Sequence, residues 1–597
     1  MKKIICLLLA LVMTVGMLGI FASCGDDVCE NHVDSNLDGK CDECGTVVTT
    51  SCSHVDEDPK DEVCDKCGAD MSEEVVINYP WDSQSLIFMM SENSNGEELP
   101  SGCHRYLAGD DPNATEVIDT NIDKRNNQAE YYTKTDITYQ YWPDNDQYGW
   151  GDSIEKIYTI VYSNTTDDIP DIYCNFVYDM VGASVRGCFA NLKSTARGQG
   201  ELAGLNYFEF LDDDYDEEED NRGYMHEYME SVTLSKHKMY VLASDYFTDL
   251  IRAFFIIPIS ISLIESVGPT VTGERDGVDG WTVDDFYAQV WDMEWNYDLM
   301  MKYSAAVYQD DGDNATTDPW LGDTVGFGYS TKGVAACGLL FTTSVVLIEK
   351  QFNEELNDYE YFFPKTNDKL YAFVDAAKEL LNSKGVVRVG NVTSGAYSIK
   401  KWGEDGLRAV RTRFSQNKVL FGDIMMIGAL EYDAYQSMKN PDGTGGFGLV
   451  CVPLYTDVEG ERYLTQIHNV GRPGAIGANT LKFAECTAFL NYQSTHSTDI
   501  LDNYYNFKLM YDIAGGAEGT VDMLRYIRLN VRTSFDKAFE DALGVFHGKE
   551  AGYNNKLLVI ISGAAFDIDI RTEYDRILEL KNNQLNTLEE YYLTSPN

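Results

Sequence analysis

The sequence predicts a mixed α/β protein built on parallel sheet, preceded by a secretion signal and a small segment rich in cysteine and histidine. Three observations carry that prediction. Strand and helix patterns alternate from about residue 77 onward, a basic and apolar leader ends at a cysteine, and a Cys/His unit at residues 29–45 returns at residues 52–68.

The leader comes first in the chain. Met1-Lys2-Lys3 is followed by an apolar run from Ile4 and then by Phe21-Ala22-Ser23-Cys24. A short basic start, a hydrophobic stretch and small residues before a cysteine mark a secretory signal over residues 1–23, with Cys24 as the new N-terminus. The pattern resembles a bacterial lipoprotein signal, whose cysteine thiol is acylated, and Phe21 stands where an aliphatic residue is usual. Two acyl chains hold a protein stably on a membrane. The resemblance therefore implies a lipid-anchored protein on the extracellular face of the cytoplasmic membrane. An ordinary secreted protein with a cysteine at its cleavage site is the alternative. The next most apolar run, Ala253 to Ile264, is shorter than the roughly twenty residues a crossing helix needs. With Pro258 and several β-branched residues it reads as a buried strand.

Composition narrows the function. The 597 residues carry 46 Lys plus Arg against 97 Asp plus Glu, a net charge of −51. Such a surface repels nucleic acid, and no basic stripe interrupts it, so nucleic-acid binding is excluded as a function class. The densest acidic run, Asp212 to Asp220, reads as a solvated loop, with calcium binding as the alternative. Cys103, Cys174, Cys188, Cys337, Cys451 and Cys486 have no framework spacing and are expected to pack as small apolar side chains.

Each Cys/His unit holds a cysteine, a histidine and a C-x-x-C: Cys29, His32, Cys41 and Cys44, then Cys52, His54, Cys64 and Cys67. Three thiolates and an imidazole suit a closed tetrahedral zinc site. In a segment this short and polar, the metal would be the main folding force. Disulfides are the alternative outside the cell. Asp34, Asn36, Asp38 and Gly39 match the first half of a calcium loop, but Gly45 stands where the bidentate Glu belongs.

The elements of the large region follow in order. Leu86 to Met90 is a continuous apolar run, expected as a buried strand that ends in a loop at Ser91-Glu92-Asn93. Ile137, Tyr139 and Tyr141 alternate with polar residues as a second strand. Ile154, Ile157, Tyr158 and Val161 share one helical face after Asp152, a plausible cap, and Asp171 to Asn175 forms the next strand. Further on, Trp295-Asn296-Tyr297-Asp298 opens a helix. The turn Asp310 to Asn314 reads as a loop, with calcium as the alternative. Leu370, Phe373, Val374, Ala377, Leu380 and Leu381 line a helix stopped by Gly385. Leu557 to Ile561 is strand-like.

Over roughly residues 80–545 the order of these features resembles the family 1 extracellular solute-binding proteins, the lipoprotein receptors of ABC importers. The resemblance is carried by Ser153 to Ile157 before Pro170 to Tyr173, and by the helix start at Trp295 with its Asp/Gly turn. Phe414 to Phe421 followed by Phe447 to Pro453, and Ala475 to Thr480 before a helix bearing Glu485, Ala488 and Phe489, complete it. The chain departs from the family at Ile257 to Ser260, where an Asn-Lys pair is frequent, and at Ile476-Gly477, where Ile-Pro is usual.

The resemblance implies a two-lobed, hinged fold after a Cys/His segment at residues 24–76. One lobe would comprise about residues 77–256 and 451–545 and the other about 257–450, with 546–597 left unassigned. It implies no enzyme but a receptor that closes on a small solute, a sugar by preference, and delivers it to a permease. Strand ends nominate Glu92, Asn93 and Asn175 as ligand contacts, and Trp320 and Trp402, in polar surroundings, are candidates for stacking on sugar faces. A surface adhesin for polymeric glycan and a secreted hydrolase are the rivals. For the latter, no G-x-S-x-G or H-E-x-x-H occurs anywhere in the chain.

Overall fold

The computed structural model describes residues 79–92, 101–110, 117–142, 152–163, 169–193, 223–273, 280–310, 322–331, 333–389, 406–431, 446–456, 462–468, 470–506, 508–509, 519–539, 560–561 and 567–594. The expectations at Cys24, at the paired Cys/His units, at residues 212–220, and at Asn93, Trp320 and Trp402 lie outside the described residues.

The first sheet begins with β1 (Gln84–Ser91), whose Leu86, Phe88, Met89 and Met90 are fully buried, as a strand covered on both faces must be. The helix Val117–Thr133 leads to β2 (Thr135–Trp142), and the helix Asp152–Ser163 leads to β3 (Ile172–Cys174). Both β2 and β3 pair with β1 in parallel, Leu86 opposite Ile137 and Phe88 opposite Ile172. The strand, helix, strand order legible in the sequence therefore builds parallel sheet.

The chain then leaves through β4 (Phe255–Ser260), buried along its whole length. The apolar run to Ile264 does not stay extended as expected. Ser260 accepts a hydrogen bond from the Leu263 N–H at 3.3 Å and starts the helix Ile261–Thr272, so an N-cap divides the run into strand and helix.

A second sheet follows. The helix Tyr297–Val307 is capped by Asn296, which accepts from the Leu299 N–H at 2.9 Å, and it lies against β5 (Val325–Ser330). The approach is close: a Cβ on Gly326 would lie 2.1 Å from Ser304 Cα. After the helix Gly333–Phe341 comes a hairpin of β6 (Glu349–Asn353) and β7 (Asp358–Phe362). The helix Asp368–Asn382 buries all six of its predicted face residues. Beyond it Gly385 turns at φ +81° into β8 (Val386–Val389). With β9 (Val419–Phe421) and β10 (Met425–Met426) the sheet runs β10-β4-β9-β5-β8; β5, β8 and β9 are parallel and β4 is antiparallel to its neighbours.

The return starts with β11 (Phe447–Val450) on β4, continues through β12 (Thr465–Gln466), and ends in β13 (Gly474–Ile476), antiparallel to β3 in the first sheet. Residues 242–260 and 447–476 thus cross side by side in opposite directions, tied by bridges Leu242 to Gly474 and Phe254 to Ile467 and by the β4 and β11 pairing. The protein is a two-lobed α/β fold with paired crossings. After the helix Phe483–Thr495, β14 (Val531–Arg532) pairs with β12. Ile560 and Ile561 are helical and buried, and the rest of the strand-like run, Leu557 to Val559, lies outside the described residues. The closing helix Ile570–Thr594 docks beside the hairpin, where Glu589 accepts from the Tyr361 N–H at 3.2 Å and Tyr574 donates to Pro364 O at 2.8 Å.

Cys103, Cys174, Cys188, Cys451 and Cys486 are free and buried, as small apolar side chains are. Among the described residues no helix is long and apolar enough to cross a membrane.

Candidate functional site

Parallel strands end where loops can gather side chains, and the first sheet does this at the carboxyl ends of β1 and β2. Glu92 leaves β1 with its N–H donating to Trp142 O at 3.2 Å. A wide helical turn, Cys103–Ala108, carries His104 to it. His104 sits between two carboxylates, Nε2 at 3.0 Å from Glu92 Oε1 and Nδ1 at 3.0 Å from Asp110 Oδ1. Tyr141, near the end of β2, donates to Asp110 Oδ2 at 2.6 Å and stacks its ring on the imidazole with centroids 3.6 Å apart. The His104, Glu92 and Asp110 side chains remain 37–46% exposed, so solvent or a ligand reaches them.

Two carboxylates facing both ring nitrogens select the doubly protonated imidazolium, since only that form donates twice. Partial burial lowers the His104 pKa, but the hydrogen bonds and charges of Glu92 and Asp110 outweigh it and hold it above the ordinary value of 6.5. Burial and the bond to Asp110 push the Tyr141 phenol well upward, so it stays a donor. The cluster offers carboxylate lone pairs and an aromatic edge, a set suited to hydroxyl groups.

Asn175 also follows its strand, but it is fully buried and its Oδ1 accepts from the Phe176 N–H at 2.8 Å. It shapes the entry to the helix Val177–Val185 from within. Of the nominated residues, the structure thus places Glu92 in an accessible cluster and Asn175 in the interior. His104, Asp110 and Tyr141 were not nominated. For Tyr141 the signal existed, because it lies in the predicted β2.

Beneath this edge lies a buried ionic network that joins the crossings. Asp249 binds Arg252 and also Arg472, whose Nη1 is 2.6 Å from Asp249 Oδ2. Arg252 Nε donates to Glu431 Oε1 at 2.7 Å, and Tyr106 and Tyr504 donate to the same carboxylate at 3.1 and 2.6 Å. The Arg472 guanidinium lies 4.5 Å from the centroid of the Phe176 ring. Burial alone would raise the Asp249 pKa, yet Arg252 and Arg472 hold it below the ordinary carboxylate value.

No family model and no curated protein matches the chain. Its fold is similar to solved solute-binding proteins of ABC transporters. One is the galacto-N-biose and lacto-N-biose I-binding protein of Bifidobacterium longum, in complex with lacto-N-biose: 14% identity, 86% of this chain and 99% of that one covered, TM-score 0.45. Another is an ABC substrate-binding protein of Listeria monocytogenes in complex with cycloalternan, at 10% identity, 85% and 100% coverage and TM-score 0.42. A third is the GacH receptor of Streptomyces glaucescens, at 12% identity, 85% and 99% coverage and TM-score 0.41.

The described tryptophans serve mostly in packing. Trp295 is fully buried and donates Nε1 to Cys451 O at 2.9 Å. Trp142 is buried under the Lys156 ammonium, 3.5 Å from its ring centroid. Trp291 is 41% exposed and meets Tyr526 edge-on. Among the described residues no group of three or more His, Cys, Asp or Glu could hold a metal ion.

Proposed function

We propose that the protein is a lipid-anchored extracellular receptor, not an enzyme, that encloses a small carbohydrate between its lobes and delivers it to an ABC importer. The observation that carries this reading is the pair of antiparallel crossings, residues 242–260 and 447–476, joining two sheets with parallel strands. Two narrow crossings let one lobe rotate on the other while each keeps its own core, which is hinge closure. A solute that touches both lobes favours the closed form by its differential affinity, and a permease can read that form. In this reading Glu92, Asp110 and Tyr141 supply hydrogen bonds to sugar hydroxyls, and Asn93, Trp320 and Trp402 complete the site. Acylated Cys24 holds the receptor at the membrane, and Cys29, His32, Cys41 and Cys44, with Cys52, His54, Cys64 and Cys67, bind zinc in a short stalk, with calcium at Asp34, Asn36 and Asp38 a subordinate alternative.

The test is a thermal-shift screen of the mature chain with mono- and oligosaccharides, amino acids and short peptides. A ligand bound only by the folded state must raise the melting temperature. A rise with one oligosaccharide, reduced in Glu92→Gln, is the expected result. No rise with any small solute, together with retention on polymeric glycan, would overturn transport in favour of an adhesin.

A further inference from the structure

A second feature lies away from the first-sheet edge. A cavity of about 410 Å³ opens between residues 223–227, the helices Thr498–Asn503 and Gly519–Leu529, and Arg462 of the return crossing. Cavities of roughly 300–1,000 Å³ hold small-molecule ligands. None of the described residues lining it belongs to the Glu92 cluster. Three arginines and three carboxylates line it, and they are matched: Arg528 meets Asp245 at 2.5 Å, Arg525 meets Asp502 at 3.1 Å, and Arg462 meets Glu227 at 2.7 Å. In a chain of net charge −51 this local balance leaves neither sign in excess.

Tyr505, on the wall of this cavity, holds a polar atom with nothing to bind. Its side chain is buried, the residue being 1% exposed, and its hydroxyl has no hydrogen-bond partner. Buried hydroxyls are in the large majority satisfied, so an orphan on a cavity wall points to an occupant. Burial pushes the phenol well upward, so it stays protonated and able to donate. Asp245, Arg528, Asp502 and Arg525 also act on it electrostatically, which places it beside two of the ion pairs that line the space. Leu501, Leu529 and Val531 give the cavity an apolar side.

We propose that this cavity is a second carbohydrate site, one that takes a neutral sugar through its hydroxyl groups. An ionic ligand would have to displace an arginine or a carboxylate from its partner, and a hydroxyl does not. A guanidinium carries several N–H groups and a carboxylate several lone pairs, so a paired arginine and aspartate still donate to and accept from a sugar hydroxyl. Tyr505 adds one further hydrogen bond, and the leucines and Val531 meet the C–H face of the ring. The site stands independently of the Glu92 cluster. Because Arg462 belongs to the return crossing, an occupant would touch the segment on which closure turns.

The test is isothermal titration of the mature chain at pH 7 with D-glucose, D-galactose, maltose and, as a zwitterion, L-alanine. Saturable binding of a sugar is expected, weakened at least about tenfold in Tyr505→Phe, as loss of a buried hydrogen bond to the ligand requires, and unmoved in Glu92→Gln. Without ligand, Tyr505→Phe should melt no lower than the parent, because the hydroxyl has no partner to lose. Asp502→Asn, at a side chain 44% exposed, supplies a second variant with the same expected loss of affinity. Absence of saturable sugar binding, or saturable binding of L-alanine in place of sugar, overturns the proposal. So does a lower melting temperature in Tyr505→Phe with sugar affinity kept, which would assign the hydroxyl to a structural water. Sugar binding weakened by Glu92→Gln and untouched by Tyr505→Phe overturns this site and leaves the receptor reading standing; the reverse pattern supports this site and removes Glu92 from the cargo contacts.

Discussion

Arg472 and Asp249 meet at 2.6 Å although 223 residues separate them, and both side chains are essentially inaccessible to solvent. One lies in the return crossing and the other in the outgoing one. Their contact pins the two chain segments to each other at the joint between the lobes.

Asp249→Ala should therefore be severe. It leaves Arg472 buried without its carboxylate and deprives Arg252 of one, and breaking such a pair costs about 3–5 kcal/mol. Chemical denaturation of the variant checks this. Because the native pKa of Asp249 is depressed, its stabilisation is full above the unfolded value near 4 and is lost as pH falls through the native value. The stability gap to Asp249→Asn should accordingly shrink below about pH 4.

His104 provides the opposite sign. Its native pKa is raised, so its ion pairs stabilise fully below the unfolded value of 6.5 and lose that contribution as pH rises through the native one. An NMR titration of the imidazole should show a midpoint above 6.5, and Glu92→Gln should lower that midpoint. An unmoved midpoint in Glu92→Gln would contradict the geometry at the end of β1.

Gly326→Ala tests the seam between β5 and its covering helix. The added methyl would meet the Ser304 backbone at 2.1 Å, too close for a side chain to yield, and a loss of about 1–3 kcal/mol or more is expected from thermal unfolding. Gly385 approaches the same residue, its Cβ position 2.1 Å from Ser304 O. Substitution at the two positions should therefore not be additive.

Ser260→Ala should cost about 1 kcal/mol, the usual value of an N-cap. The hydroxyl also lies 2.5 Å from Asn417 Oδ1, so the loss should fall when Asn417 is replaced as well. A double-mutant cycle in denaturant measures the coupling.

The strands were legible because burial on both faces leaves an uninterrupted apolar run, as at Leu86 to Met90, and the helix at residues 368–382 because its apolar residues keep one face. The division at Ser260 was not legible, since a serine within an apolar stretch reads as a polar interruption until its hydroxyl is seen at the Leu263 N–H. Glu92 could be nominated because strand ends point at the cleft in folds of this class. His104 and Asp110 could not, because they reach Glu92 from a separate turn whose residues follow no period. Asp249, Arg252, Arg472 and Glu431 were hidden for a different reason: in an acidic chain a carboxylate carries no mark of being interior, and only the fold brings the arginines to it.

The β6 and β7 hairpin has a mechanical meaning beyond its own pairing. Asp358 accepts from Ser235 Oγ and from the Lys236 N–H, each at 2.7 Å, and Tyr361 donates to Thr233 O at 2.8 Å, so the hairpin forms an arm that grips residues 233–236. A body held at two separate points can turn only about the line through them. While that grip holds, rotation between the lobes has a single axis running from the crossings to the hairpin, and twisting about any other line requires the arm to let go.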